Sequence, residues 1–462
     1  MSNQTSAAPQ ENKMGVLPEG RLLANMAIPM MASMLVQALY NVVDSVFVSR
    51  LSENAFNAVG LAFPLQTLMI AVGGGTAVGI NTLLSRSLGE KKQDVADRTA
   101  GVAIFLMPIC CFILFALVGV FLSRPFFMAQ AGGVPEIVEY GVQYTSICLG
   151  LSVGIFGQFC SERLLQATGR TTLSMLTQML GAIINIIMDP IMIFGLFGFP
   201  RMEVAGAALA TVLGQIVAAI VGMILNLKYN TDIHIRLKNI RWDPVMVKEV
   251  YRIGIPSIVM QSIGSVMTFG LNKILFVFTP TATAVFGAYY KIQSFVFMPV
   301  FGLNNAMVPI ISYNYGAARP KRVWKTVRLT ITTAVCIMIL GFAVFQLFPA
   351  TLLSLFDASE TMLALGCPAL RTISVSFLLA GFCIIAGSVC QAIGNPIYSL
   401  IVSVCRQLVV LLPVAWLLAQ TGRLELVWWA FPIAEIMSFT LSAIFLRRTI
   451  KSANAMMDSN AE

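Results

Sequence analysis

Twelve apolar runs, each near or above the roughly 20 residues that cross a hydrocarbon layer, leave this chain little choice of fold. They fall near 22–49, 54–84, 97–122, 134–160, 164–197, 204–227, 247–278, 281–313, 326–349, 361–389, 396–418 and 426–446. Hydrophobic residues make up 57% of the 462 and charged residues only 11%, whereas a soluble domain carries about 25% charged. The solvent for most of the surface has to be lipid. Backbone amides find no water there, so each run closes its own hydrogen bonds as an α-helix. The expected fold is an all-α polytopic membrane protein.

Lys and Arg orient it. With the N-terminus in the cytosol, 22 of the 30 Lys and Arg fall in cytosolic pieces. Arg50, Arg124, Arg201 and Arg423 lie outside, and Lys273, Lys291, Arg371 and Arg406 fall within spans. The expected location is the bacterial or archaeal cytoplasmic membrane, crossed many times, with both termini in the cytosol. The net charge of +9 is mostly this orientation signal, so nucleic acid is not an expected partner. The first twenty residues are polar, and the run after them is too long for a signal-peptide core. The nine cysteines are odd in number and lie inside spans without a Cys-x-x-Cys, which reads as packing, not disulfides or a metal site.

The two halves repeat. Adding 227 carries Ile28-Pro29 to Ile255-Pro256, Gly60 to Gly287, Gly75 to Gly302, Ser85 to Ser312, Gly89 to Gly316 and Thr99 to Thr326. Adding 225 carries Gly141 to Gly366 and Gln166-Ala167-x-Gly169 to Gln391-Ala392-x-Gly394. Six spans per half is an even number, so both halves enter the membrane the same way. The repeat is parallel, about an axis along the membrane normal. The expected organisation is a cytosolic tail at 1–20, a six-helix bundle at 21–228, a cytosolic linker at 229–246, a second bundle at 247–448 and a tail at 449–462. A substrate cavity belongs between the bundles.

Asp44 and Asp189 lie deep in apolar runs. An Asp at the centre of a spanning helix costs roughly 2.5–3.5 kcal/mol on insertion scales, so two of them point to ion handling within the membrane. Ser33, Gln37, Tyr40 and Asp44 share one helix face, with Asn41 beside them. Gln178, Asn185 and Asp189 share another, and Ala207, Thr211 and Gln215 a third. These faces should converge inside the first half as an oxygen-rich set able to hold Na⁺, or a proton between the acids.

The second half lacks a copy. Leu271 stands where Asp44 would repeat, and Glu435 is the deep carboxylate, expected either to pair with Arg406 or Lys291 and hold the second bundle together or to serve in coupling or substrate binding. Glu162 beside Arg163 reads either as a solvated charge at a cytosolic helix end or as an anionic attraction site. Pro29, like Pro256, permits a kink near the start of its span. No hydrolase, Walker or zinc motif is present in the sequence, so an enzyme is not expected, nor any cofactor beyond a coupling ion, H⁺ or Na⁺. The 25 Met and 30 Phe suit a cavity for varied amphipathic compounds.

Five segments carry a family resemblance. They are Ile28-Pro29 through Tyr40-Asn41-Val42-Val43-Asp44, Ser85-x-x-x-Gly89, Gln166-Ala167-Thr168-Gly169, Asn185-Ile-Ile-Met-Asp189-Pro190, and Val204-Ala205-Gly206-Ala207-Ala208-Leu209-Ala210-Thr211. Over roughly residues 21–450 the chain resembles the MATE (multidrug and toxic compound extrusion) family, in its prokaryotic DinF/MepA-like branch. The resemblance implies two six-helix bundles around a V-shaped cleft. It implies export of organic cations and amphipathic drugs by antiport with H⁺ or Na⁺; a monomer in the lipid bilayer is the expected working unit. It also implies cation ligands at Asp44, Asn185, Asp189, Thr211 and the backbone of Ala207, with Tyr40 adjacent. Pro29 matches a helix bend and Glu162 an acidic substrate position. Ile255 to Phe278 lacks the acid that some members carry there. The alternatives are a lipid-linked oligosaccharide flippase of related architecture and, in another class, a membrane receptor or structural membrane protein.

Overall fold

The computed structural model describes residues 12–130, 134–356 and 358–459. The outer parts of both expected tails, 1–11 and 460–462, lie outside the described residues. Among the described residues, ten helices are long and apolar enough to span a membrane, and two further helix pairs bend at a short break, giving up to twelve spans when each bent pair counts as one. They are α1 (Glu19–Ser49), α2 (Glu53–Gly89), α3 (Gln93–Phe121), α4 (Pro135–Gly150 with Val153–Ala167), α5 (Thr171–Phe194) and α6 (Glu203–Tyr229). The second lobe follows with α7 (Pro244–Phe276), α8 (Pro280–Gly316), α9 (Pro320–Leu347), α10 (Glu360–Ser374 with Phe377–Ile393), α11 (Pro396–Ala419) and α12 (Ala430–Ser459). The two bends, 41° and 49°, fall at equivalent places in the two lobes.

One expected boundary shifts. A break was expected between 160 and 164, where Glu162-Arg163 interrupts the apolar pattern. Instead α4 runs on to Ala167, and the chain turns at Thr168–Arg170. The charged pair therefore lies within a span. It is tolerated because Gln158 donates to Glu162 Oε1 (2.8 Å) and Arg163 donates to Gln166 Oε1 (2.7 Å) and Asn305 Oδ1 (3.4 Å).

The lobes are cross-laced. The first half of α1 (Leu22, Leu23, Met26, Met30) belongs to the hydrophobic core of the second lobe. Its repeat mate, the first half of α7 (Met246, Val247, Val250), belongs to the core of the first. Glycines permit these crossings. A Cβ on Gly75 would lie 2.8 Å from the Gly254 carbonyl oxygen, and one on Gly302 would lie 2.7 Å from the Met30 oxygen. Cβ atoms on Gly89 and Gly316 would overlap the carbonyls of Tyr313 and Arg86. All of these contacts sit toward the basic end of the bundle, which carries the chain termini. At the opposite end Gly60 and its repeat mate Gly287 have nothing within 4 Å. The lobes are sealed at the basic end, while these two glycines face open space at the other.

A short strap reinforces the seal. Residues Lys13–Val16 form a helical turn with Met14 buried. Asn12 donates to the Thr168 carbonyl (3.1 Å) and to Asp232 Oδ1 (2.9 Å) on the first-lobe side. On the second-lobe side, Asn314 donates to Met14 O (3.0 Å) and Arg319 to Gly15 O (2.7 Å). Lys325 and Arg322 of α9 reach Glu19 at 2.9 and 3.6 Å.

Asp243 ties the linker to the first lobe. It caps α7 by accepting from Val245 N (3.2 Å) and Met246 N (3.4 Å), and it pairs with Arg98 at 2.5 Å. Burial alone would raise its pKa, but the Arg98 guanidinium and the two amides outweigh burial and hold the carboxyl below the usual range. Its contribution to stability is present above the ordinary carboxylate pKa and is lost as pH falls through the depressed folded value. Asp243→Ala should destabilise the protein by about 1–2 kcal/mol at neutral pH. Thermal unfolding in detergent micelles should show this, with the deficit shrinking as the buffer is made acidic.

Candidate functional site

The far half of α1 has two working faces. One carries Gln37, Tyr40 and Asp44 toward α5 and α6. The other carries Ala38, Asn41, Val42 and Val46 onto a cavity of about 410 Å³ between the lobes. Asn41 thus separates from the polar stripe to which its neighbours belong.

The carboxyl groups of Asp44 and Asp189 come within hydrogen-bonding reach of each other. Asp189 is fully buried, and Asp44 Oδ1 is a buried oxygen with no hydrogen-bond partner among the described residues. Asn185 sits one turn before Asp189. With its amide oriented to satisfy both ends, Nδ2 donates to Asp189 Oδ2 (3.2 Å). Its Oδ1 accepts from Thr211 N (3.1 Å) and Thr211 Oγ1 (3.2 Å). Ala207 is fully buried one turn below Thr211 on α6. Tyr40 hydrogen-bonds Gln37, which accepts from Gln178 (3.3 Å). Tyr40, Gln37, Gln178, Asn185 and Thr211 line a polar cavity of about 40 Å³, room for a few waters.

Small residues make the convergence possible. Gly181 of α5 and Gly214 of α6 meet so closely that a Cβ on Gly214 would lie 2.5 Å from the Gly181 carbonyl oxygen. A Cβ on Gly206 would lie 2.5 Å from the Met192 oxygen. With no side chains between them the two backbones approach, and Asn185 reaches Thr211. Gly206 stands in a segment that the sequence singled out, but Gly181 and Gly214 do not. The signal that could have found them is their position on the polar faces of α5 and α6.

The remaining expected positions scatter. Pro29 lies inside a continuous α1, where the helix passes from the second-lobe core toward the acid pair. Glu162 is only 5% exposed, which removes the reading of a solvated end charge. Its carboxylate turns toward Gln158, while its neighbour Arg163 lines the interlobe cavity. Glu435 pairs with Arg406 at 3.1 Å, as one of the two expected pairings had it; Lys291 stands apart on the cleft wall. Arg406 sits on a π-helical turn, Cys405–Leu411, a distortion that frequently marks functional positions. No cluster of three or more His, Cys, Asp or Glu able to hold a metal ion occurs among the described residues.

Three cavities adjoin along the cleft, of about 410, 550 and 350 Å³. Met298 of α8 lines all three. Together they exceed the usual size of a small-molecule site.

The MatE family model matches the chain twice, over residues 29–191 and 256–417. The starts are 227 apart, the offset of the repeat. The FAD transporter of Shewanella oneidensis is 26% identical over 91% of this chain and 92% of its own length. The multidrug export protein MepA of Staphylococcus haemolyticus is 25% identical over 90% of each chain. A solved MOP superfamily transporter from Pyrococcus furiosus superposes with a TM-score of 0.90 at 26% identity, over 97% of this chain and 99% of that one. An outward-facing multidrug resistance MATE transporter does so with the same score and identity, over 97% and 100%.

The glycine contacts carry a direct test. Gly214→Val should overpack the α5–α6 crossing and cost about 1–3 kcal/mol. Gly60→Ala, in open space, should leave the unfolding midpoint unchanged or raise it slightly. Paired thermal melts in micelles would separate the two.

Proposed function

The chain belongs to the MatE family of membrane transporters, and from that premise we propose that it is a secondary active exporter of amphipathic drugs, driven by inward flow of H⁺ or Na⁺ through the Asp44–Asp189 site. The observation that carries this reading is that the acid pair and the substrate cleft share one helix. Asp44 points from α1 into the first lobe, while Asn41 and Val42, on the other face, line the cleft.

Two acids facing each other in a low-dielectric bundle need a cation between them. A proton bridging the carboxyls would satisfy Asp44 Oδ1. So would a sodium ion held by Asp44 and Asp189 with Asn185, Thr211 and the Ala207 backbone near. Loading or emptying the pair changes how α1 seats against α5 and α6. Because the first half of α1 is embedded in the second-lobe core, that change bears on the seal at the basic end. Pro29, lacking an N–H, lies between the two regions and is the proposed place for α1 to flex. With the basic face in the cytosol, the described state is open outward. Ion uptake there would release drug outside, and ion loss inside would follow reversal of the seal. Each net charge moved inward contributes about 2.3 kcal/mol per 100 mV. A monomer in the cytoplasmic membrane with both termini in the cytosol completes the proposal.

The test is efflux from liposomes driven by a pH gradient alone and then by a sodium gradient alone. Asp44→Asn and Asp189→Asn should each reduce gradient-driven efflux to the level of empty vesicles while inserting normally and eluting as the native species. Efflux at native rates in either variant overturns the coupling assignment. Movement of a lipid-linked saccharide headgroup without drug efflux would instead establish the flippase.

A further inference from the structure

The walls of the cleft carry the opposite charge to the one that an organic-cation exporter needs. Among the described residues lining the three adjoining cavities, the ionised side chains are Arg163, Lys291, Arg406 and Glu435. Arg406 and Glu435 cancel each other across 3.1 Å. Lys291 makes no ion pair among the described residues, and its ammonium lies 6.0 Å from the Phe356 ring centroid. Arg163 donates to the amide oxygens of Gln166 and Asn305 and is within the Coulombic reach of its neighbour Glu162. Its sequence neighbour Glu162 is buried and turned to Gln158, away from the cleft lining. The coupling acids are not on the cleft either: Asp44 and Asp189 face each other inside the first lobe. Among the described residues, a substrate in the cleft therefore meets two cations, Lys291 and Arg163, with no acid on the lining left to match them.

The rest of the lining fits an apolar, aromatic body. Phe295 and Phe356 flank Lys291, and Phe159 and Phe301 lie in the cavity with Arg163. Ring faces stack on planar aromatics. Amide side chains at Asn304, Asn305, Gln261 and Gln391 supply donors beside Arg163. Guanidinium and ammonium groups recognise carboxylate, sulfonate or phosphate through charge-assisted hydrogen bonds, and wall charges in a cleft of low dielectric act strongly on a bound charge.

We propose that the cleft is an anion-selective amphiphile site: an aromatic or apolar body lies along α8, and its anionic group is held by Lys291 nearer the open end and by Arg163 nearer the sealed end. This rests on the cleft being the substrate path. It reverses the sign of charge that the family resemblance implies for the cargo. It also gives the two cations a sequence of use, Arg163 receiving the anion at the sealed end and Lys291 drawing it toward the exit. An anionic lipid headgroup would offer the same chemistry as a soluble anion.

Equilibrium binding decides the matter without any gradient, so a failure of ion coupling would leave the result readable. The probes are fluorescein and rhodamine 123, which share a xanthene core and differ in charge sign. They are titrated by fluorescence polarisation onto the full chain in phosphatidylcholine nanodiscs. Fluorescein should bind at least about tenfold more tightly than rhodamine 123, with the preference weakening as salt rises. Lys291→Gln and Arg163→Gln should each weaken fluorescein binding about tenfold. Lys291→Glu, at an exposed position where misfolding is not expected, should bring the two dyes level or invert the order. Displacement of fluorescein in phosphatidylglycerol nanodiscs, lost in Lys291→Gln, would support the site and assign its anion to lipid. Retained binding there would assign it to a soluble anion. Tighter binding of rhodamine 123 by the native chain, or fluorescein binding indifferent to both Lys291 variants, overturns the proposal.

Discussion

Two carboxyl groups facing each other inside a lipid-embedded bundle set the terms for the rest of this molecule. Hydrocarbon offers them no water, and the protein offers Asp44 Oδ1 no donor among the described residues. In the function proposed above, a cation completes the site, and its loading moves the helices that hold the acids. Asp189 is fixed by Asn185, which is fixed by Thr211, and both lie on helices packed through glycine. Asp44 is on α1, the helix whose other end is anchored in the opposite lobe. The rigid partner and the movable partner are thereby distinguished by packing alone.

The lobe exchange gives that distinction mechanical meaning. α1 and α7 each place their first half in the core of the other lobe, so the lobes cannot rock without displacing both arms. The tight glycines Gly75, Gly89, Gly302 and Gly316 make the seal at the basic end dense, and the strap at Asn12–Leu17 ties its two sides together. The repeat mates Gly60 and Gly287, toward the other end, have nothing within 4 Å. One repeat therefore supplies both the closed and the open end of the cleft. A dense glycine crossing gains van der Waals contact at no side-chain entropy cost, yet it holds no strong directional bond that would lock it.

Much of this was legible in the sequence because membrane burial makes errors expensive. Long apolar runs, colinear glycines and isolated acids each carry a large enough energetic signature to stand out one residue at a time. The polar faces converged as helical spacing required, since Tyr40, Asp44, Asn185, Asp189 and Thr211 had no affordable alternative among lipid tails. Asn41 was different: one residue from the stripe, it turned to the cleft. Glu162-Arg163 was expected at a solvated cytosolic helix end for a good local reason, because two adjacent charges rarely continue a span. Gln158, Gln166 and Asn305 satisfy them, and Asn305 arrives from 142 residues away. The strap was hidden in a polar stretch with no periodicity, since its role consists of backbone carbonyls offered to distant Asn and Arg side chains.

The amino-acid sequence by itself determined that the chain lives in lipid, spans it in two parallel six-helix repeats, and carries a pair of acids that had to meet. Those conclusions follow from hydrophobicity, period and solvation cost, all of which are properties of a residue and its near neighbours. Tertiary structure alone decided which end of the cleft is sealed, which way each charged side chain points, and the net charge of the cleft wall. Those depend on how two lobes of similar sequence dock, and docking is a balance among contacts hundreds of residues apart that no local pattern encodes.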